Sequence, residues 1–122
     1  MKKLLLLALI ACLGTAADAQ FKNTKWKGSL QLENLVDVMF DFKTDTLEAL
    51  VVADNSTLEL MKYSVKDNVL SIQKISGQSD CAESAVAKYK FEMKNNELVL
   101  TVVEDECYNR SGVLNNTTWI KQ

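Results

Sequence analysis

The sequence contains no histidine and no proline, only four glycines and three cysteines, and a single arginine, Arg110. Without imidazole, the Ser-His-Asp triad and most general-base arrangements at neutral pH are excluded. Three cysteines and no histidine also fall short of the four nitrogen or sulfur ligands of a structural zinc site. There is no Pro-, Gly- or Ser-rich stretch to mark a linker, so one domain is expected. No apolar run reaches the roughly 20 residues needed to cross a bilayer. An excess of basic residues is lacking as well.

What is present begins with an export signal. Met1-Lys2-Lys3 is a positively charged start, Leu4 to Leu13 is an apolar run of about ten residues, and Ala17-Asp18-Ala19 is a small-x-small cleavage site. A mature chain starting at Gln20, free in the periplasm or secreted, is the expectation. A second reading stays open. Leu9-Ile10-Ala11-Cys12 matches the pattern of a bacterial lipobox, in which Cys12 would be acylated and would tether the protein to a membrane; the mass of the mature N-terminus distinguishes the two. Removing Lys2, Lys3 and Asp18 with the signal leaves 12 basic against 15 acidic residues, a net charge of −3. That argues against nucleic acid or an anionic membrane as the main partner.

The remaining cysteines, Cys81 and Cys107, are an even number in an exported chain, so a disulfide is the default. The body of the chain reads as strands. Lys88 to Lys94 alternates with period two, with Tyr89, Phe91 and Met93 on one face, and Val36 to Lys43 places Val36, Val38, Phe40 and Phe42 together. Trp26 to Glu33 does likewise with Trp26, Gly28, Leu30 and Leu32. Further strands are expected near 47–53, 57–66, 69–75, 97–104 and 116–121, and only 80–86 or 108–114 has room for a helical turn. In the fourth strand the apolar phase slips from Leu58 and Leu60 to Tyr63 and Val65, which predicts a bulge near Met61 and Lys62.

The connections are short and polar. Asp54-Asn55-Ser56, Lys66-Asp67-Asn68 and Asn95-Asn96 suit tight antiparallel turns, since Asn and Asp accept positive φ. A turn at Asn95-Asn96 makes facing residues sum to 191, so Cys107 faces Ser84 and the disulfide needs the strand ends to splay or bulge. About eight short-linked strands predict a meander closed into a barrel, with a β-sandwich as the alternative. In a closed barrel Trp26 and Trp119 lie on neighbouring strands, and closure removes the edges that recruit other chains, so a monomer is expected.

The early Trp26, the eight-strand meander, and the segment Asp105-Glu106-Cys107-Tyr108-Asn109-Arg110 followed by Leu114 and Trp119-Ile120-Lys121 resemble the lipocalin-like (calycin) barrels, particularly small exported ones of Bacteroidetes-type bacteria. Thr24 stands where that family has a glycine, and Arg110 precedes the last strand instead of following it. The resemblance implies carriage of a small, largely apolar ligand, with no catalysis and no cofactor, and makes Arg110 the partner of Trp26 or Trp119 in closing the barrel floor. The alternative is a protein-binding module or inhibitor acting through its rim loops at 76–85 and 105–116.

Read from the alternation, Phe40, Phe42, Tyr63, Tyr89 and Phe91 line the interior and are the candidate ligand contacts, with the two tyrosines as its polar groups. Leu30, Leu32, Leu58, Leu98 and Leu100 complete the apolar set, which either fills the barrel or leaves a pocket. Arg110 has a second reading as an anchor for a ligand carboxylate or phosphate. Asp37 and Asp41 share a strand face but stand about 13–14 Å apart, beyond the roughly 5–9.5 Å of a glycosidase pair. Glu104-Asp105-Glu106 is the one acidic run that could gather a hard cation, and is read as a solvated loop. Several Asn-x-Ser/Thr matches, such as Asn55-Ser56-Thr57, and Asp45-Thr46-Leu47 are weak modification signals.

Overall fold

The structure, a computed structural model, describes residues 20–122. The segment read as an export signal, with Cys12 and Ala19, lies outside the described residues. From an exposed Gln20 the chain runs through β1 (Thr24–Gln31), β2 (Leu35–Phe42), β3 (Thr46–Val51), β4 (Thr57–Lys66), β5 (Val69–Gly77), β6 (Val86–Lys94), β7 (Glu97–Asp105), the short helix α1 (Tyr108–Leu114) and β8 (Thr117–Lys121). Each strand pairs antiparallel with its sequence neighbour. β8 then pairs with β1 through Trp26–Lys121 and Lys27–Ile120, which closes the barrel.

The turns explain the tight connections. Asn55, Asp67, Asn95 and Asn96 all have φ between 54° and 64°, the left-handed region that asparagine and aspartate tolerate best among non-glycine residues. With Asn95 and Asn96 both there, the hairpin keeps the expected register from Lys94–Glu97 to Tyr89–Val102. Beyond it Val103 is an extra residue on β7, so Lys88 meets Glu104.

Three such extra residues shape the molecule. Leu58 is inserted in β4 relative to β3, and Ile75 in β5 opposite the step from Leu60 to Met61. The irregularity expected near Met61 is the shift between Leu60 and Met61, with the extra residue on the β5 side, and Leu58 adds a second one three residues earlier. A bulge re-aims the side chains beside it; past Leu58, Glu59 falls on the inward face of Met61, and Lys74 on the inward face of Leu70 and Ile72.

The core fills one end of the barrel. Phe21, fully buried, enters from the N-terminal turn and packs on Phe42 and Phe91 with ring centroids 4.7 and 4.8 Å apart. Phe42 meets Tyr63 edge-on at 5.0 Å. Trp119 leans across β1 to stack on Phe40 at 3.8 Å. Gly28 lies in its path, and a Cβ there would fall 2.7 Å from the Trp119 ring. Aromatic pairs of this kind contribute about 0.5–1.5 kcal/mol beyond the area they bury.

Leu32 lines the cavity at the other end of the barrel as expected, but at its mouth and not in the core. The chain already turns there, with Leu32 N–H donating to Asn34 O at 3.0 Å, and its side chain is 40% exposed at the rim.

Candidate functional site

The opposite end of the barrel is open. Here lie the loops 32–34, 52–56, 78–85 and the segment 106–116 that carries α1. Beneath them is a cup of about 650 Å³, walled by Leu30, Val36, Ala49, Leu58 and Met61 and by Val113 and Leu114 of α1, with Phe40 at its base. That volume is in the range of sites for small molecules. The interior is thus divided into an aromatic plug at the Phe21 end and a cup at the other.

The division decides between the candidates. Phe40 lines the cup. Phe42 and Phe91 belong to the plug around Phe21. Tyr63 packs on Phe42, and its hydroxyl donates to Lys43 O at 2.6 Å. Tyr89 is fully buried and donates to Asp105 Oδ2 at 2.7 Å. Neither tyrosine supplies a polar group to the cup. Period-two alternation identifies which face points inward; it carries no information on which end of that face is filled.

Arg110 is placed differently from the expectation. Its Nε donates to Asp105 Oδ2 at 3.0 Å and its Nη2 to Asp105 Oδ1 at 2.9 Å and to Ala85 O at 3.1 Å. The two side chains are 8% and 1% exposed. Trp26 sits at the plug end, its Nε1 donating to Thr24 Oγ1, and Trp119 stacks on Phe40. Arg110 lies within α1, at the open end of the barrel, and cannot reach that floor. Arg110 instead latches the rim, and Asp105, also receiving the Cys107 N–H at 2.8 Å, is its hub. The acidic run at 104–106 is therefore partly spent: Asp105 is held by Arg110, and Glu106 Oε1 accepts from Val86 N–H.

The disulfide is part of the same rim. Cys81 and Cys107 are bonded, with Cα atoms 5.5 Å apart. The expected splay is supplied by Val103 on one strand and by a turn on the other, where Ala85 N–H donates to Ala82 O. Asn109 Nδ2 donates to Asp80 Oδ2 at 2.7 Å and ties the same two segments. Among the described residues, one group of potential metal ligands converges, Asp80 with Cys81 and Cys107, but its two sulfurs are bonded to each other.

The polar corner of the cup is made by Glu59, in phase with Met61, and Lys74, in phase with Leu70 and Ile72. Lys74, its side chain 10% exposed, donates to Ser79 O at 2.6 Å and Cys81 O at 3.3 Å, and stands 3.7 Å from Glu59 Oε1. Glu59 Oε1 and Ser79 Oγ are shut off from water without a hydrogen-bond partner, and Glu59 and Ser79 both belong to the cup wall. An unmet buried acceptor costs about 1–3 kcal/mol, and more when charged. The signal that could have found Glu59 is the phase slip it sits in. Comparison with protein-family models, curated proteins and solved structures finds no match.

The buried network has a pH signature. Burial, then the hydrogen bond to Asp105 and its charge, raise the Tyr89 phenol well above its usual value near 10. Below about pH 10 both folded and unfolded chains hold that proton. Above it the unfolded chain releases the proton first, binds fewer protons than the native state, and stability falls as pH rises. The urea midpoint should therefore drop between pH 9 and 11 more steeply in the wild type than in Tyr89→Phe, and equal slopes would remove Tyr89 from the account.

Proposed function

We propose that this chain is an exported, non-catalytic barrel that holds a small, largely apolar molecule in its cup, in the manner of the lipocalin-like proteins it resembles. The observation that carries this is the cup itself, about 650 Å³, apolar over most of its wall and open at one end of a barrel whose other end is plugged. The disulfide fits an oxidising compartment outside the cytosol. No helix among the described residues is long and apolar enough to cross a membrane.

N-phenylnaphthylamine, a neutral probe that fluoresces in apolar surroundings, should bind saturably to the purified protein. Ala49, 4% exposed and on the cup wall, is where added bulk projects into the open space. Ala49→Phe should weaken binding by about tenfold or more while the protein stays folded, tenfold being the loss of about 1.4 kcal/mol of contact. Binding that is absent in the wild type, or undiminished in a folded Ala49→Phe, counts against the proposal. A second reading, contact with another protein through the rim, is favoured by Leu35 and Tyr108, which stand 67% and 87% exposed around the mouth. On that reading a second polypeptide, rather than a small molecule, accompanies the native protein in mass spectrometry.

A further inference from the structure

Resting on the reading of the cup as a ligand site, we propose that it selects an apolar molecule bearing a hydrogen-bond-donating head, an aliphatic alcohol or amine, over the carboxylate of the same chain length. The selecting group is Glu59. Its carboxylate lies in the cup wall with a side chain only 13% exposed, and its one charged partner, Lys74, is at 3.7 Å, too far for a hydrogen bond. The Lys74 ammonium is turned to the carbonyl oxygens of Ser79 and Cys81. The corner thus offers a carboxylate acceptor without a hydrogen-bond donor, in surroundings where such a bond is worth most.

The backbone is arranged around that carboxylate. Glu59, beside the extra residue Leu58, shares the inward face of Met61, and Lys74, which pairs with Met61 across the strands, shares that of Leu70 and Ile72. Gly77, at φ +142°, leaves the space for Glu59, since a Cβ there would fall 2.3 Å from Oε1. An ordinary side chain at 77 would push the carboxylate out of its place.

The mouth points to the same ligand class. Glu33, Asp54, Asp80, Glu83 and Glu106 lie on the loops around it, and Arg110, the only basic residue on them, is spent on Asp105. A rim whose loops carry five acidic residues against Arg110, itself in the cup wall and paired with Asp105, favours a cationic head over an anionic one.

Displacement of N-phenylnaphthylamine by decanol, decylamine and decanoate, each below micelle formation, tests this. The alcohol and the amine should displace the probe at about tenfold lower concentration than decanoate, the scale of one charge-assisted hydrogen bond. Rim attraction adds a salt-sensitive advantage to the amine over the alcohol. Glu59→Gln, which offers both a donor and an acceptor, should bring decanoate to within about threefold of the alcohol. Equal displacement by all three ligands, a preference for decanoate, or an unchanged ranking in a folded Glu59→Gln overturns the proposal while leaving the cup intact. Failure of the probe to bind the wild type would instead remove the cup as a ligand site. The wild-type ranking stands as a test by itself should Glu59→Gln fail to fold.

Discussion

Asp105→Ala is expected to lower stability by about 3–5 kcal/mol, the usual cost of removing one partner of a buried ion pair. Asp105 accepts from Arg110, from the Tyr89 hydroxyl and from the Cys107 amide. Losing it leaves a guanidinium 8% exposed without a counter-charge, and a fully buried phenol without its acceptor. Against a total of about 5–15 kcal/mol for an ordinary domain, that is a large fraction. Replacing both partners at once, Asp105→Leu with Arg110→Met, should cost far less, because the penalty for burying two charges disappears with them. Urea midpoints of the two variants separate the cases: equal losses would show that lost packing, and not the stranded charge, is responsible.

Removal of the disulfide is the second large effect. The bridge spans 26 positions, and in the chain-entropy model a loop of that length contributes about 3 kcal/mol by restricting the unfolded chain. Cys81→Ser with Cys107→Ser should lose about that much by urea unfolding at pH 7. Binding of N-phenylnaphthylamine should survive in the absence of urea, since the eight strand pairings and the Asn109–Asp80 and Arg110–Ala85 ties are untouched. A variant as stable as the wild type would mean that the rim is held by those ties alone.

The fold was legible wherever alternation is unbroken. Val38, Phe40 and Phe42 of β2 and Tyr89 and Phe91 of β6 point inward as read, and Asn95-Asn96 turns where expected. The site was not, and each miss has a local cause. Glu59 and Lys74 went unread as site residues because they are charged, although Glu59 shares the face of Met61, Tyr63 and Val65 and Lys74 that of Leu70 and Ile72. Phe21 stands before the first alternating segment, yet it plugs the barrel and so decides that Phe42, Tyr63 and Phe91 are core and not cup. Helix α1, YNRSGVL, is poor in helix formers and has no side-chain N-cap. It is held by Leu114 in the core and by Arg110 at the rim, contacts that no local propensity encodes. The resemblance placed Arg110 on a floor that is in fact built by Phe21, Trp26 and Trp119.

The pairing of β1 with β8 bears on how the chain reaches this state. Every other pairing joins neighbours in sequence, whereas this one brings together residues almost a hundred positions apart, Trp26 and Lys121. Chains dominated by distant pairings fold slowly, because the entropy of closing the loop is lost before the contact is made. As the chain folds, the stack of hairpins from β1 to β7 can assemble in order, but its outer strands stay open-edged until residues 117–121 join. Those five residues, which bring Trp119 onto Phe40 across Gly28, turn a growing sheet that other chains could extend into a cylinder that admits no further strand.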